Sequence, residues 1–228
     1  MHPKKTFFRH WILLAFAAIL LVGAGCHPGG LEVEKKPVLS GNEKIAVMGF
    51  SAALDEQEKP QTVLDPLSGV VFSAAPVSPG VVNKMTQDLF DRLVSRGGHE
   101  LISPAEATGA YSSIANRKMD LALLPARMLQ KVGRELNADL VLAGYVYRWS
   151  ERKGSDYGAQ QAASVAFDLH LVRSLDGVVI WSGKFDKTQH SLTENLLDLW
   201  TFIKGGGRWM TAEKLAGLGL KQLLDKMP

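Results

Sequence analysis

Cysteine is almost absent from this sequence, because Cys26 is the only one among 228 residues. A single cysteine excludes an intrachain disulfide, so the fold is held without covalent crosslinks. A lone thiol in an oxidising compartment is also exposed to unwanted chemistry, so the position of Cys26 needs an explanation.

Acidic residues are missing from the first ten positions, which contain Lys4, Lys5 and Arg9. The apolar stretch that follows, residues 11–25, is shorter than the roughly 20 residues needed to cross a bilayer. A basic start, a short apolar segment and small residues before a cleavage point are typical of a secretory signal peptide. We therefore predict a signal peptide over residues 1–25.

The junction Gly23-Ala24-Gly25-Cys26 resembles the lipobox of bacterial lipoproteins, although Gly23 stands where that pattern usually has Leu. The resemblance implies cleavage before Cys26 and a covalent lipid, palmitate among its acyl chains, on the Cys26 thiol, with no other cofactor. His27 is not the Asp of an inner-membrane retention signal, which implies anchoring at the periplasmic face of the outer membrane. The alternatives are an ordinary signal peptide or an uncleaved anchor with an incidental cysteine, and a catalytic thiol.

The sequence also lacks a basic excess outside this signal. The formal net charge of +3 is accounted for by Lys4, Lys5 and Arg9, so the mature chain is neutral. A protein that binds nucleic acid usually carries a basic patch or a strongly basic domain. We therefore expect a protein partner and the lipid-anchored membrane contact, and no nucleic acid.

Motifs of catalysis are missing as well. Gly205-Gly206-Gly207 is not followed by Lys-Ser/Thr, and the sequence has no Gly-x-Ser-x-Gly elbow and no Glu-x-x-His. Asp168 and His170 share one strand face and could begin a metal site or an acid–base pair. We favour a solvated strand face for them, and predict a protein that is not an enzyme and has no metal ligands.

Hydrophobic periodicity divides the rest of the chain into a lipidated tether over residues 26–42, a globular domain over 43–190 and a helical carboxy-terminal arm over 191–228. Residues 51–78 form a long segment of no clear type. The predicted elements are a buried strand at 44–50, helices at 79–96 and 125–137, a short strand at 99–103, a central strand at 139–149 and a hairpin at 162–173 and 178–185. The order β-α-β-α-β-β-β-α predicts an α/β (α+β) fold with a single mixed sheet of about five strands and helices packed on it.

The carboxy-terminal arm combines two predicted helices, at 192–203 and 211–226, with three consecutive glycines between them. Trp200 and Trp209 flank Gly205, Gly206 and Gly207. We hypothesise that these five residues belong to a partner-binding or self-association surface on a helix that moves relative to the sheet. The alternative is a last helix that completes the core.

Aromatic residues recur at every second position in the central strand, at Tyr145, Tyr147 and Trp149, with Trp181 on the predicted hairpin nearby. An aromatic ladder of this kind can bind a sugar or a peptide. Core packing beneath a helix is the interpretation we favour.

Three segments, Ile45–Phe50, Gly133–Gly144 and Leu169–Gly183, resemble the α/β domain shared by the TolB amino-terminal domain, the curli secretion lipoprotein CsgG and the penicillin-binding-protein activator lipoproteins. The resemblance covers residues 44–186 and implies a domain that binds or assembles without catalysing a reaction. Residues from 189 onward do not match it.

Two functions follow from these observations. The first is a non-catalytic interaction or assembly module of the cell envelope, with a periplasmic or outer-membrane protein partner and homo-oligomerisation allowed. The second is a subunit of an oligomeric CsgG-like secretion channel, which would require residues 51–78 to supply membrane-crossing strands of roughly 9–11 residues. Since residues 55–60 are charged, we favour the first function; an uncharacterised envelope enzyme is the remaining alternative.

Overall fold

A computed structural model describes residues 39–116, 125–155, 159–189 and 209–228. The predicted signal peptide, Cys26, most of the tether, the predicted helix at 192–203, Trp200 and the three glycines lie outside the described residues. All of the described residues belong to one compact unit that spans residues 36–228.

The centre of the fold is a five-stranded mixed sheet that contains β1 (Lys44–Ala52), β4 (Glu100–Ile102), β5 (Leu140–Ser150), β8 (Ser164–Arg173) and β9 (Val179–Thr188), in the strand order β4-β1-β5-β8-β9. Strand β1 pairs in parallel with β4 and β5, while β8 pairs antiparallel with both β5 and β9. The short strands β6 (Lys153–Gly154) and β7 (Ala159–Gln161) pair antiparallel with each other outside this sheet. The predicted α/β class and the single mixed sheet are therefore confirmed.

Four described helices pack on this sheet: α1 (Pro79–Arg96), α2 (Pro104–Ala115), α3 (Pro125–Glu135) and α4 (Ala212–Leu224). Two of them begin at side-chain caps, because the hydroxyls of Ser103 and Thr211 accept hydrogen bonds from backbone N–H groups of the first turn. Ser78 occupies the capping position of α1 but makes no such hydrogen bond. Among the described residues no helix is both long and apolar enough to cross a membrane.

The two faces of the sheet are covered by different elements. On the first face, α1 and α4 enclose a continuous apolar core with side chains such as Ile45, Leu142 and Phe167. On the second face, α2 and α3 pack on Ala46, Val141 and Val172. Because both faces are covered, the first half of β5 is buried and apolar on both sides.

Residues 51–78 contain a β-hairpin that covers the rest of the second face. Its strands are β2 (Gln61–Leu64) and β3 (Val71–Ala74), with Leu64 paired to Val71. Phe72 and Ala74 are buried against Tyr147 and Ala166 of the sheet. Each strand has four residues, so the segment does not supply the roughly 9–11-residue strands that the channel alternative requires.

Strand β8 differs from the sequence prediction, which gave it one solvated face. Nine of its ten residues are buried, and only Arg173 at its end is exposed. The reason is the hairpin, which lies over the face that carries Asp168 and His170.

The last helix is part of the core. Its residues Leu215, Leu220 and Leu223 are at most 2% exposed and belong to the same apolar cluster as Phe167 and Leu169 of β8. The packing favours the alternative in which this helix completes the core over the hypothesis that it moves relative to the sheet.

We expect Leu142→Ala to lower the free energy of unfolding by about 2–5 kcal/mol, because Leu142 is fully buried in the central strand and its removal leaves a cavity. The measurement is urea unfolding followed by circular dichroism. Leu175→Ala is the matched control, since Leu175 is 75% exposed and its loss should change stability by less than about 0.5 kcal/mol. Equal effects of the two substitutions would contradict the placement of β5 at the centre.

Candidate functional site

Three ionisable side chains meet beneath the hairpin. Asp168 and His170 stand two residues apart on β8 and point to the second face of the sheet, and Asp65 directly follows β2 in the hairpin turn. Their side chains are between 0% and 3% exposed. The predicted solvated face is therefore wrong, because the hairpin seals this face and brings in a second carboxylate.

The imidazole of His170 lies between the two carboxylates. Its Nε2 is 3.2 Å from Oδ2 of Asp65 and 3.2 Å from Oδ2 of Asp168. It makes no hydrogen bond of acceptable geometry with either oxygen. On the other side of the ring, Nδ1 is 2.8 Å from the hydroxyl oxygen of Ser182 on β9.

Asp65 is held in place by the turn to which it belongs. The backbone N–H groups of Leu67 and Ser68 donate to its carboxylate at 3.2 Å and 2.7 Å, and the Ser68 hydroxyl donates to Oδ2. Aspartate commonly starts turns in this way, because its carboxylate accepts from N–H groups two or three residues ahead. The turn therefore aims one oxygen of Asp65 at β8.

Asp168 is positioned by the neighbouring strand β5. The hydroxyl of Tyr147 donates to Oδ2 at 2.7 Å, and the backbone N–H of Tyr145 donates to Oδ1 at 3.0 Å. Close approach of the two strands depends on Gly144, since a Cβ there would lie 2.3 Å from the backbone oxygen of Asp168. This contact explains the glycine in mid-strand.

The electrostatics of the cluster follow from burial and mutual attraction. Burial alone would lower the pKa of His170, but the facing carboxylates of Asp168 and Asp65 raise it to about 9. Burial likewise opposes the ionisation of Asp65, yet His170 and Ser68 hold the pKa of its carboxyl far below the usual range. Burial and the two carboxylates raise the pKa of Tyr145 to about 12 and that of Tyr147 further. At neutral pH the imidazole is therefore cationic and the tyrosines are neutral.

The hairpin that carries Asp65 has a second attachment to the sheet. The ring of Phe72 stacks on that of Tyr147 with centroids 3.8 Å apart and an interplanar angle of 4°. The opposite surface of the hairpin carries the cross-strand pair Leu64 and Val71, which are 66% and 60% exposed. The hairpin is thus fixed on its inner side and carries an exposed apolar pair on its outer side.

The predicted aromatic ladder is broken by a bulge in β5 between Val146 and Arg148. Tyr145 and Tyr147 pack on the hairpin side, whereas Trp149 packs with the core beneath α1 and α4. Trp181 also packs against the core beneath α1 and α4. The four aromatic residues therefore lie on opposite faces and form no common binding surface.

Of the predicted partner surface, only Trp209 lies within the described residues. It is partly exposed, and its backbone carbonyl accepts a hydrogen bond from the guanidinium of Arg152 at 2.6 Å. Trp200, Gly205, Gly206 and Gly207, like Cys26, are outside them, and their roles stay predictions.

Sequence reasoning identified Asp168 and His170 but missed Asp65, and it placed Tyr147 in an aromatic ladder without its contact to Asp168. The pattern Asp65-Pro66-Leu67-Ser68-Gly69 is a recognisable turn signal. It predicts the turn alone, since nothing local indicates which strand the turn will meet.

Comparison with known proteins gives only distant likenesses. No family model matches the chain, and no curated protein matches it. Among solved structures, the PelC dodecamer from Paraburkholderia phytofirmans is 18% identical, covers 83% of this chain and 89% of its own, and has a TM-score of 0.45.

Two further solved structures are similar at the same level. The lipoprotein GNA1162 from Neisseria meningitidis is 17% identical over 72% of this chain and 92% of its own, with a TM-score of 0.41. The LpoB carboxy-terminal domain from Salmonella enterica is 18% identical over 77% of this chain and 94% of its own, with a TM-score of 0.37. At these values the function has to be argued from the residues of the chain itself.

Proposed function

We propose that this protein is a lipid-anchored periplasmic module that binds a protein partner in the cell envelope and catalyses no reaction. The observation that carries the proposal is the β2–β3 hairpin, which is fixed to the sheet and presents an exposed apolar pair, Leu64 and Val71, outward. The signal segment and Cys26 support the anchor, and His27 supports residence at the outer membrane.

The outer surface of the hairpin fits protein recognition. Leu64 and Val71 are directly paired across the hairpin, and Pro66 in the turn is also exposed. Exposed apolar side chains on a rigid element bind with little loss of conformational entropy. Their partner is expected to offer a complementary apolar surface.

The absence of catalysis is inferred from the position of the one chemically versatile cluster in the described residues. Asp65, Asp168 and His170 are at most 2% exposed, so a substrate has no path to them in this arrangement. The raised pKa values of Tyr145 and Tyr147 also keep these phenols protonated at neutral pH, so neither is available as a base. The cluster is better suited to holding the hairpin than to turning over a substrate.

The test is residue-specific photocrosslinking in intact cells. A photoreactive side chain at Leu64 or Val71 is expected to give a discrete crosslinked product, because these positions would lie in the interface. The matched control is Leu175, which is 75% exposed on the β8–β9 turn and should give none. Identical products from all three positions would contradict the proposed surface.

The same surface predicts a binding defect without unfolding. The double substitution Leu64→Ser and Val71→Ser should weaken the captured complex by about tenfold or more, since apolar anchors contribute roughly 1–2 kcal/mol each at an interface. Both residues are exposed, so the thermal midpoint should stay close to that of the parent. A doubly substituted protein that retains the complex at parental strength would contradict the proposal. A crosslinked product between two copies of this chain would identify the partner as a second copy of the same protein.

A further inference from the structure

The cluster beneath the hairpin carries more negative charge than its own residues balance. Among the described residues, the ion pairs of Asp65 and Asp168 are with His170 alone. One protonated imidazole neutralises only one of these two buried carboxylates. Unbalanced charge is costly in a site removed from water, so the cluster has room for one more unit of positive charge.

The imidazole provides a second, independent indication. His170 is 1% exposed, and its Nε2 has no hydrogen bond of acceptable geometry although it faces both carboxylates. Its other nitrogen is occupied by the hydroxyl of Ser182. When Nδ1 donates its proton to Ser182, Nε2 points between the two carboxylate oxygens, and either its own proton or a bound metal cation can lie between them.

The spacing of the ligand atoms fits a small metal ion. For bonds of about 2.0–2.1 Å at tetrahedral angles, neighbouring ligand atoms are about 3.3 Å apart. Nε2 of His170 is 3.2 Å from each carboxylate oxygen. The three ligand atoms all lie within 4.8 Å of one another.

We propose that Asp65, Asp168 and His170 bind a divalent transition-metal cation of the Zn²⁺ class. One imidazole with two carboxylates suits zinc, manganese or iron better than magnesium or calcium, which prefer oxygen ligands alone. A divalent cation with a neutral imidazole balances both carboxylates. The metal ion would occupy the position that the Nε2 proton holds when no metal is bound.

The surrounding residues would serve as the outer shell of this site. Tyr147 donates to Asp168, Ser68 donates to Asp65, and Ser182 faces the far side of the His170 ring. Such contacts orient metal ligands and fix the tautomer of the histidine. Because Asp65 is on the hairpin and the other two ligands are on β8, the metal would fasten the hairpin to the sheet. The inference does not depend on what the hairpin binds.

The experiment uses the full-length mature protein, stripped with a chelator and dialysed against Zn²⁺. We expect one zinc per chain after desalting, measured by plasma mass spectrometry, and a higher thermal midpoint with Zn²⁺ than without it. Co²⁺ in place of Zn²⁺ should give the strong visible absorption of a tetrahedral site.

Two variants make the test specific. Asp65→Asn keeps the shape of the turn and should abolish both the zinc and the thermal shift. His99→Gln is the matched control, because His99 pairs with Glu43, away from β8, at 3.4 Å and should leave both unchanged. A nitrogen NMR spectrum of His170 in the parent protein, with and without Zn²⁺, reports the protonation of its ring nitrogens and does not depend on the folding of any variant.

Three outcomes would overturn the site. The first is a parent protein that takes up no zinc above the buffer background. The second is equal uptake by Asp65→Asn and the parent, which would place the metal elsewhere. The third is an imidazole that stays protonated on both nitrogens with Zn²⁺ present, which would leave a histidine–carboxylate ion pair only. None of these outcomes bears on the crosslinks from Leu64, so the two proposals fail separately.

Discussion

Truncation after Gly205 is expected to unfold the domain. The deleted segment contains α4, whose side chains close one side of the sheet, and the buried members of the segment include Met210, Leu215, Leu220, Leu223 and Leu224. Burial of one such side chain contributes roughly 1.5–3 kcal/mol, and the net stability of a domain is only about 5–15 kcal/mol. Losing this helix therefore removes stabilisation comparable to the net stability of the whole domain.

The measurement is a far-ultraviolet circular dichroism melt together with resistance to a protease. Leu220→Ala removes a smaller part of the same packing. It should lower the free energy of unfolding by about 2–5 kcal/mol, because Leu220 is 1% exposed. Lys221→Ala on the same helix is the control, since its ion pair with Asp225 lies at the surface and its loss should leave the unfolding transition close to that of the parent. A truncated chain that melts cooperatively near the parental temperature would show that α4 is dispensable and would restore the hypothesis of a moving helix.

Cys26→Ser is expected to abolish membrane attachment. The two acyl chains of a diacylglyceryl group anchor a protein stably, whereas a single chain binds only reversibly, and serine provides no thiol for the lipid. The variant should appear in the soluble fraction or remain as unprocessed precursor. Fractionation of cells and gel mobility give both readouts.

The control for this experiment is Ser112→Ala, a substitution of similar size at an exposed position of α2, which should fractionate as the parent does. A Cys26→Ser variant that still sediments with membranes at the parental mobility would be incompatible with the lipid anchor. Density-gradient separation then tests the location, and recovery of the parent with the inner membrane would refute outer-membrane residence.

Elements with a strong local pattern were predictable from the sequence. The apolar runs of β1 and β5 and the spacing of Met85, Leu89 and Leu93 in α1 each reflect burial that continues along the whole element. Such patterns are visible in the sequence because burial acts on every turn of a helix or on successive residues of a strand. The fold class and the single mixed sheet followed from them.

The β2–β3 hairpin and the cluster of Asp65, Asp168 and His170 were not predictable, because neither has a strong local pattern. Strands of four residues are too short to show a period, and Asp65 meets His170 only after more than a hundred intervening residues have folded. Asp168 and His170 were predicted to be solvated because polar residues usually are. In the fold, each of them contacts a residue from another element. The bulge beside Tyr147 is likewise invisible in the sequence, yet it sends Trp149 to the other face.

The place of α4 in the chain has a consequence for export. This helix follows every strand of the sheet, so the apolar surface of β8 stays uncovered until residues beyond 210 have emerged. A domain whose core closes so late cannot complete its packing until nearly the whole chain has been synthesised. For the export that we propose, we expect this delay to keep the precursor unfolded enough to pass a secretion pore.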